Sequence, residues 1–159
     1  MIRVTMALAL LAAMVAAPSR AAAQENEEAA VMAAVEAMFD AMRAGDSAAM
    51  RAVLHPTATG ASVSVREGVP TLTREGSLDG FVQAVGTPHE EIWDERIWDA
   101  EVRVDGNLAT AWMKYAFYMG DQFSHCGVDA FQLFKDEDSW KVFHIADTRR
   151  REGCETPEG

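Results

Sequence analysis

The feature that most restricts the fold of this chain is a change of residue pattern after Pro88. From there to residue 149 β-branched and aromatic residues dominate, and turn-forming residues interrupt them at Asp105-Gly106, Gly120-Asp121 and 136–139. Long apolar-rich segments separated by such turns predict a meander of antiparallel strands. We expect four strands, near Glu91–Val104, Leu108–Met119, His125–Lys135 and Trp140–Arg149.

The segment before Pro88 has the periodicity of helices instead. Five apolar residues recur on one helical face between Glu27 and Ala44, and Gly45 ends that helix; they are Val31, Val35, Met38, Phe39 and Met42. We also expect a short helix from Asp46 or Ser47 up to His55-Pro56, a hairpin over Ser62–Arg74 turning at Glu67-Gly68, and a third helix from Ser77 to Gly86. Helices followed by a meander predict an α+β domain whose sheet buries one face against three helices.

Length and charge exclude several classes of protein. The chain has 159 residues, which fits one globular domain, and a formal net charge of -11. Because so acidic a surface gains nothing from polyphosphate counterion release, nucleic acid is excluded as a partner. Anionic membrane surfaces are disfavoured for the same reason.

Residues 1–23 have the organisation of a secretory signal peptide. Arg3 precedes an uncharged, mainly apolar run over Val4–Ala17, and Ala21-Ala22-Ala23 offers small residues to a signal peptidase. The run is too short to span a bilayer, although an uncleaved anchor remains an alternative. We therefore expect cleavage near Ala23, an exported (periplasmic or secreted) protein, no membrane association afterwards, and a single domain over residues 24–159.

Two cysteines, Cys126 and Cys154, lie in the exported part of the chain. Outside the cytoplasm such a pair in a small domain predicts a disulfide, which would fix the C-terminal tail to the domain. The alternative makes Cys126 a nucleophile next to His125. Adjacent side chains on a strand point to opposite faces, which argues against that alternative.

The two-residue period of the strands predicts which side chains face the helices. On the first long strand the even positions are apolar and charged residues such as Glu95 alternate with them, so the even set, Trp98 included, is predicted to face inward. On the next two strands the inward set has odd numbers. The predicted ligand-binding residues on the inner face are Trp98, Met113, Tyr115, Phe117, Asp129 and Phe131.

Asp129 is the most informative of these residues, because an ionised carboxylate on an apolar face must find a partner or lose its charge. Matching the inner faces of its strand and the preceding one requires an odd-length loop, and a five-residue loop over 120–124 places Tyr115 opposite Asp129. With Tyr115 as donor, Asp129 would line a cavity and have a pKa suited to proton transfer. A purely structural Asp129, bonded to a loop or to the C-terminal arginines, is the alternative.

The face of the last strand stays open in the sequence. Phe143 and Ile145 compete with Trp140 and Val142 for the inner face, and if the first pair faces inward, Asp147 does too. The candidate catalytic residues are therefore Asp129, Tyr115 and Asp147.

The sequence gives no sign of a cofactor or a metal. The four histidines have no spacing that assembles a metal site. Glycine-rich phosphate loops and the G-x-S-x-G motif are missing from the sequence. We expect neither a metal nor any other cofactor.

Four short motifs accompany this order of elements: Gly45-Asp46, His55-Pro56, 127–135 and 140–142. Together, the motifs and the order of elements resemble the nuclear transport factor 2-like superfamily, in particular its SnoaL-like and putative lumazine-binding branches. The resemblance covers residues 25–151. It implies a cone-shaped α+β barrel with an apolar pocket inside, and frequent dimerisation through the outer sheet face. Some members are isomerases, dehydratases, cyclases or epoxide hydrolases.

Three functions follow as hypotheses. The first is an exported module that binds a small, largely apolar molecule in the cone. The second is a cofactor-independent isomerase, dehydratase or cyclase in which Asp129 moves a proton and Tyr115 stabilises an oxyanion. The third is a non-catalytic homodimer that associates through Trp112 and Tyr118 on the outer sheet face.

Overall fold

The structure, a computed structural model, describes residues 20–155. Residues 1–19 of the predicted signal peptide lie outside this range. Residues 20–23 form the first turn of a helix, and the predicted cleavage site falls within it. Between residues 20 and 155 no helix is both long and apolar enough to cross a membrane.

Three helices and six strands make up the domain. The first helix begins seven residues before the predicted start. The predicted hairpin begins eight residues early, at Leu54, and the other predicted elements are present with small changes of boundary. In chain order they are α1 (Arg20–Ala44), α2 (Ser47–Val53), β1 (Leu54–Arg66), β2 (Val69–Glu75), α3 (Asp79–Val85), β3 (Trp93–Asp105), β4 (Leu108–Met119), β5 (Gln122–Asp136) and β6 (Ser139–Arg149).

The residues predicted to separate the helices do so. Gly45 adopts a φ of 66°, a left-handed conformation that glycine reaches without strain, and ends α1. The carboxylate of Asp46 accepts hydrogen bonds from the backbone N–H groups of Ala48 (3.0 Å) and Ala49 (2.9 Å). Asp46, not Ser47, is thus the cap of α2.

One six-stranded sheet has the order β2-β1-β6-β5-β4-β3. The predicted hairpin and four-strand meander are both present, and β1 joins them by pairing parallel to β6. This parallel pair departs from the fully antiparallel sheet expected from the sequence. The sheet is curved but unclosed, with β2 and β3 at its edges, and the three helices pack on it in the predicted α+β arrangement.

The core lies between α1 and the inner sheet face. The predicted apolar face of α1 is buried, and the Phe39 ring meets Phe131 of β5 edge to face, with centroids 5.9 Å apart. At the other end of the helix, Glu27 accepts hydrogen bonds from Lys135 (2.5 Å) and from the indole N–H of Trp140 (3.1 Å). These contacts fix α1 against one end of the sheet and leave a space near the other.

Candidate functional site

A half-enclosed cavity of about 720 Å³ lies between the inner sheet face, α1 and α3. This volume is within the range of small-molecule sites, roughly 300–1,000 Å³. Most of the wall is apolar or aromatic, and all six strands contribute polar groups to it. The residues that line the cavity include Phe39, Ser62, Glu75, Phe81, Trp93, Glu95, Tyr115, Phe117, His125, Asp129, Phe131, Asp147 and Arg149.

Asp129 is buried in this wall, with 4% of its surface exposed. Its carboxyl group is in hydrogen-bonding contact with the carboxyl of Glu95. From residue 20 to residue 155, no N–H or O–H donor reaches the buried Oδ2 of Asp129. Two acids in contact without a donor hold a proton between them, since both cannot ionise in so dry a position.

The two acids raise each other's pKa. Burial is the main cause for Asp129, followed by the charge of Glu95, and its pKa lies well above the ordinary value. Burial likewise raises the pKa of Glu95, to about 7, although the hydrogen bond from Asp129 opposes the shift. The pair therefore retains at least one proton at neutral pH.

Tyr115 does not contact Asp129 as predicted. Its hydroxyl donates to the carbonyl oxygen of Thr148 (2.9 Å) and, at 3.3 Å, to Oδ2 of Asp147. Burial, then the negative charge of Asp147, raises the pKa of this phenol. Tyr115 is thus held as a neutral donor beside the acid pair.

The register explains this difference. β4 and β5 are joined by a tight turn at 120–121 instead of the expected five-residue loop, and Ser124 bulges out of β5. Tyr115 consequently lies opposite Gly127, and Met113 lies opposite Asp129. The shift is two residues, so the predicted inner faces of both strands are unchanged.

The cavity includes some of the predicted binding residues and omits others. Tyr115, Phe117, Asp129 and Phe131 line it. Met113 is fully buried in the core and does not reach the cavity. Trp98 is also absent from the wall, and it pairs with Lys114 on the outer face of the sheet.

A bulge in β3 is the reason that Trp98 faces outward and Glu95 inward. Asp99 has a φ of 52°, and the two residues Asp99 and Ala100 lie opposite one residue of β4. Upstream of this bulge the odd positions face the helices. The signal in the sequence was a change of phase among apolar residues, from Trp93 and Ile97 to Val102 and Val104.

A bulge also decides which side chains of the last strand, β6, face inward. Phe143 is an extra residue in β6, so that Trp140 and Val142 face inward before it and Ile145 faces inward after it. Asp147 therefore points into the cavity, as one of the two alternatives predicted. Its Oδ2 accepts a hydrogen bond of 2.6 Å from Nε of Arg149.

His125 also belongs to the polar part of the wall, a position that the sequence did not predict. Its ring lies edge-on to Tyr115 and tilted against Phe117, with Nδ1 3.0 Å from Oγ of Ser124. Burial, then the nearby Arg149, lowers its pKa. His125 is therefore neutral at physiological pH.

The predicted disulfide between Cys126 and Cys154 is formed. The backbone of Cys126 also exchanges two hydrogen bonds with the backbone of Arg150, of 2.9 and 3.0 Å. No three His, Cys, Asp or Glu side chains of residues 20–155 are placed to hold a metal ion.

Solved structures with the same fold come from several bacteria. A protein of unknown function from Mycobacterium tuberculosis is 12% identical with a TM-score of 0.69, covering 85% of this chain and 78% of its own. A putative dehydratase of the NTF2-like family from Streptomyces avermitilis is 17% identical with a TM-score of 0.60, covering 80% and 98%. The beta subunit of a putative aromatic-ring-hydroxylating dioxygenase from Novosphingobium aromaticivorans is 11% identical with a TM-score of 0.65, covering 80% and 91%.

At these identities the likeness concerns the fold alone. No curated protein matches the sequence. The family described as "Putative lumazine-binding" matches residues 26–144, which include both helices at the start of the domain and nearly all of the sheet. The chain therefore belongs to the putative lumazine-binding family.

Proposed function

We propose that this protein binds a small, largely apolar molecule in the cavity, with a polar group of the ligand at Glu95 and Asp129. The observation that supports this proposal most directly is the acid pair on the wall of an open space of about 720 Å³. Burying the carboxyl of Asp129 beside a second acid, with no donor to its Oδ2 from residues 20–155, costs free energy. A ligand that supplies the missing partner would recover part of that cost.

The distribution of side chains supports a mainly apolar ligand. Phe39, Phe81, Trp93, Phe117 and Phe131 contribute rings to the wall. Rings of this kind bind apolar bodies over a large area, while a few polar groups fix the orientation. The position of the acids among these rings suits a ligand with one polar end.

Native mass spectrometry of protein purified from its own host tests this proposal. We expect a co-purified small molecule that is retained by the folded protein and lost on unfolding. The same spectrum reads the N-terminus, which begins near Gln24 if the chain is exported after cleavage of the signal peptide. Protein that carries no molecule and binds none of a set of small aromatic compounds would contradict the proposal.

Two variants show whether the cavity is the binding site. Ser62→Trp adds an indole to a strand position that lines the cavity. Thr110→Trp adds the same group to an exposed position of β4 that does not line it. Binding should be lost in Ser62→Trp and kept in Thr110→Trp.

A second candidate is a cofactor-independent isomerase or dehydratase, because a carboxyl with a pKa of about 7 suits proton transfer at neutral pH. In this version Glu95 and Asp129 move the proton and Tyr115 orients the substrate. Incorporation of solvent deuterium into carbon of the captured molecule would support catalysis. The deuterium should be lost with Asp129→Asn. Exchange that persists in this variant would exclude the role of the pair.

A further inference from the structure

The charges in the cavity wall are unbalanced. Four carboxyl groups line it, against one guanidinium, that of Arg149. Arg149 is already paired with Asp147, and His125 is neutral. The remaining acids are Glu75, on the edge strand β2, and Glu95 and Asp129, deeper inside.

The hydrogen bonds that the described side chains near the acid pair donate go to acceptors outside the pair. The Tyr115 hydroxyl donates to Thr148 and Asp147, and Nε of Arg149 donates to Asp147. The ring of His125 interacts with Ser124. The described residues thus leave Oδ2 of Asp129 buried and without a donor on a wall of the open cavity.

The aromatic part of the wall adds a second attraction for positive charge. Aromatic faces carry partial negative charge and attract cations in dry surroundings. Phe81, Trp93 and Phe117 line the same space as the acid pair. A cation with an apolar body would therefore meet both kinds of group at once.

We infer that the ligand is an organic cation: a protonated primary or secondary amine on an apolar body, whose N–H groups donate to the carboxyl groups of Glu95 and Asp129. This inference rests on the proposed function and names the class of its ligand. An ammonium group offers up to three donors and no acceptor, so it supplies the donor that Oδ2 of Asp129 lacks in the described part of the chain and balances the charge of the ionised acid. A neutral ligand leaves the excess negative charge uncompensated, and an anionic ligand increases it.

Binding of such a cation displaces a proton. With Glu95 half ionised near neutral pH, the amine favours the ionised form of the pair and releases up to one proton to the solvent. The other titratable groups that face the pair are Tyr115 and His125, with the ion pair Asp147–Arg149. Affinity for the amine should therefore rise with pH through the range in which Glu95 ionises.

Three probes that share a naphthalene ring and differ in the charge of the attached group test this inference separately from the proposed function. Isothermal titration calorimetry of the intact protein would compare 1-naphthylmethylamine, 1-naphthalenemethanol and 1-naphthoate. We expect the amine to bind about tenfold more tightly than the alcohol. The corresponding difference in binding free energy equals that of a shift of one pKa unit. The naphthoate should bind least. Repeating the amine titration in buffers of different ionisation enthalpy should show net proton release.

Glu95→Gln keeps the shape of the side chain and removes its charge, and Glu101→Gln is the matched control on an exposed part of the same strand. The first variant should lose about tenfold in amine affinity and much less in alcohol affinity, because an amide oxygen still accepts a hydrogen bond from a hydroxyl group. The second should behave as wild type. Alcohol or naphthoate binding at least as tightly as the amine would overturn the inference while the cavity remains a binding site. Failure of all three probes would overturn the proposed function along with it.

Discussion

At the scale of single residues, the most unusual feature is a pair of acids inside the domain. Glu95 and Asp129 contact each other, and burial raises the pKa of both. Most buried polar groups in proteins have hydrogen-bond partners within the fold. Oδ2 of Asp129 is buried, lacks such a partner among the described residues and borders a cavity, which favours a binding role for Asp129 over a structural one.

The pair makes stability depend on pH in a defined direction. In the unfolded chain both acids lose their protons near pH 4, whereas the folded state keeps them to higher pH. The stabilising contribution is thus complete below about pH 4 and falls as pH rises towards 7, by at most about 1.4 kcal/mol per pH unit for each proton. Urea unfolding of wild type and Glu95→Gln at several pH values measures it. Wild type should lose stability more steeply than the variant.

Glu101→Gln serves as the control for that experiment, since its carboxylate is exposed. Its unfolding free energy should run parallel to that of wild type over the whole pH range. Equal pH dependence in wild type and Glu95→Gln would show that Glu95 ionises normally in the folded protein.

Gly127 is a second residue with a strict requirement, this time steric. A Cβ added there would overlap the carbonyl oxygen of Thr148 and lie 2.8 Å from Cε1 of Tyr115. We expect Gly127→Ala to lower the free energy of unfolding by about 2–3 kcal/mol, because a methyl group has no space. In Gly80→Ala nothing lies within 4 Å of the new methyl group, and helix α3 should be unchanged or slightly stabilised. Similar denaturation midpoints for the two variants would contradict this.

At the scale of elements, bulges decide which side chains enter the site. The periodicities of α1 and of the four long strands predicted the elements and the positions of Tyr115 and Asp129 on the inner face. They did not predict that Glu95 lies inside or that Trp98 lies outside, because one added residue at Asp99 exchanges the two faces upstream. A bulge depends on pairing with a neighbouring strand, and a single strand's sequence carries little of that information.

The C-terminal tail is an element held by covalent and ionic contacts. The disulfide joins Cys126 to Cys154 across 28 residues, and Glu155 accepts a 2.7 Å hydrogen bond from Lys114 of β4. Removing both cysteines as Cys126→Ala/Cys154→Ala should cost roughly 3–4 kcal/mol by the loop-entropy relation. Chemical denaturation of this variant beside non-reduced wild type measures the loss.

Reduction of wild type with a thiol gives an independent check on the same disulfide. Reduced wild type and the double variant should unfold at nearly the same denaturant concentration. Two free thiols in non-reduced protein from the host would mean that the disulfide does not form there.

At the scale of the whole molecule, the sheet has one covered and one open face. The helices and the cavity occupy the inner side. On the outer side Trp112 is 53% exposed. It lies in register with two small residues on the neighbouring strands, Ala130 and Ala146. An apolar surface of this kind is typical of protein interfaces.

The homodimer through this face remains a prediction, and light scattering coupled to size-exclusion chromatography tests it. We expect wild type to elute as a dimer and Trp112→Glu as a monomer, since a buried charge in the centre of the interface is costly. Ile92→Glu alters a residue of comparable exposure that lies just before β3, and should stay dimeric. A monomeric wild type at all concentrations would exclude the dimer.

The proposed function requires a small molecule to enter the space between helices and sheet. Methionine methyl groups report on this directly, because Met38, Met42 and Met119 line the cavity whereas Met50 and Met113 are buried in the core away from it. Adding 1-naphthalenemethanol to protein labelled with ¹³C at the methionine methyls should shift the NMR signals of the first three and leave the other two nearly unchanged. Signals of Met38, Met42 and Met119 that stay fixed up to the solubility limit of the probe would contradict the claim that this cavity is a binding site.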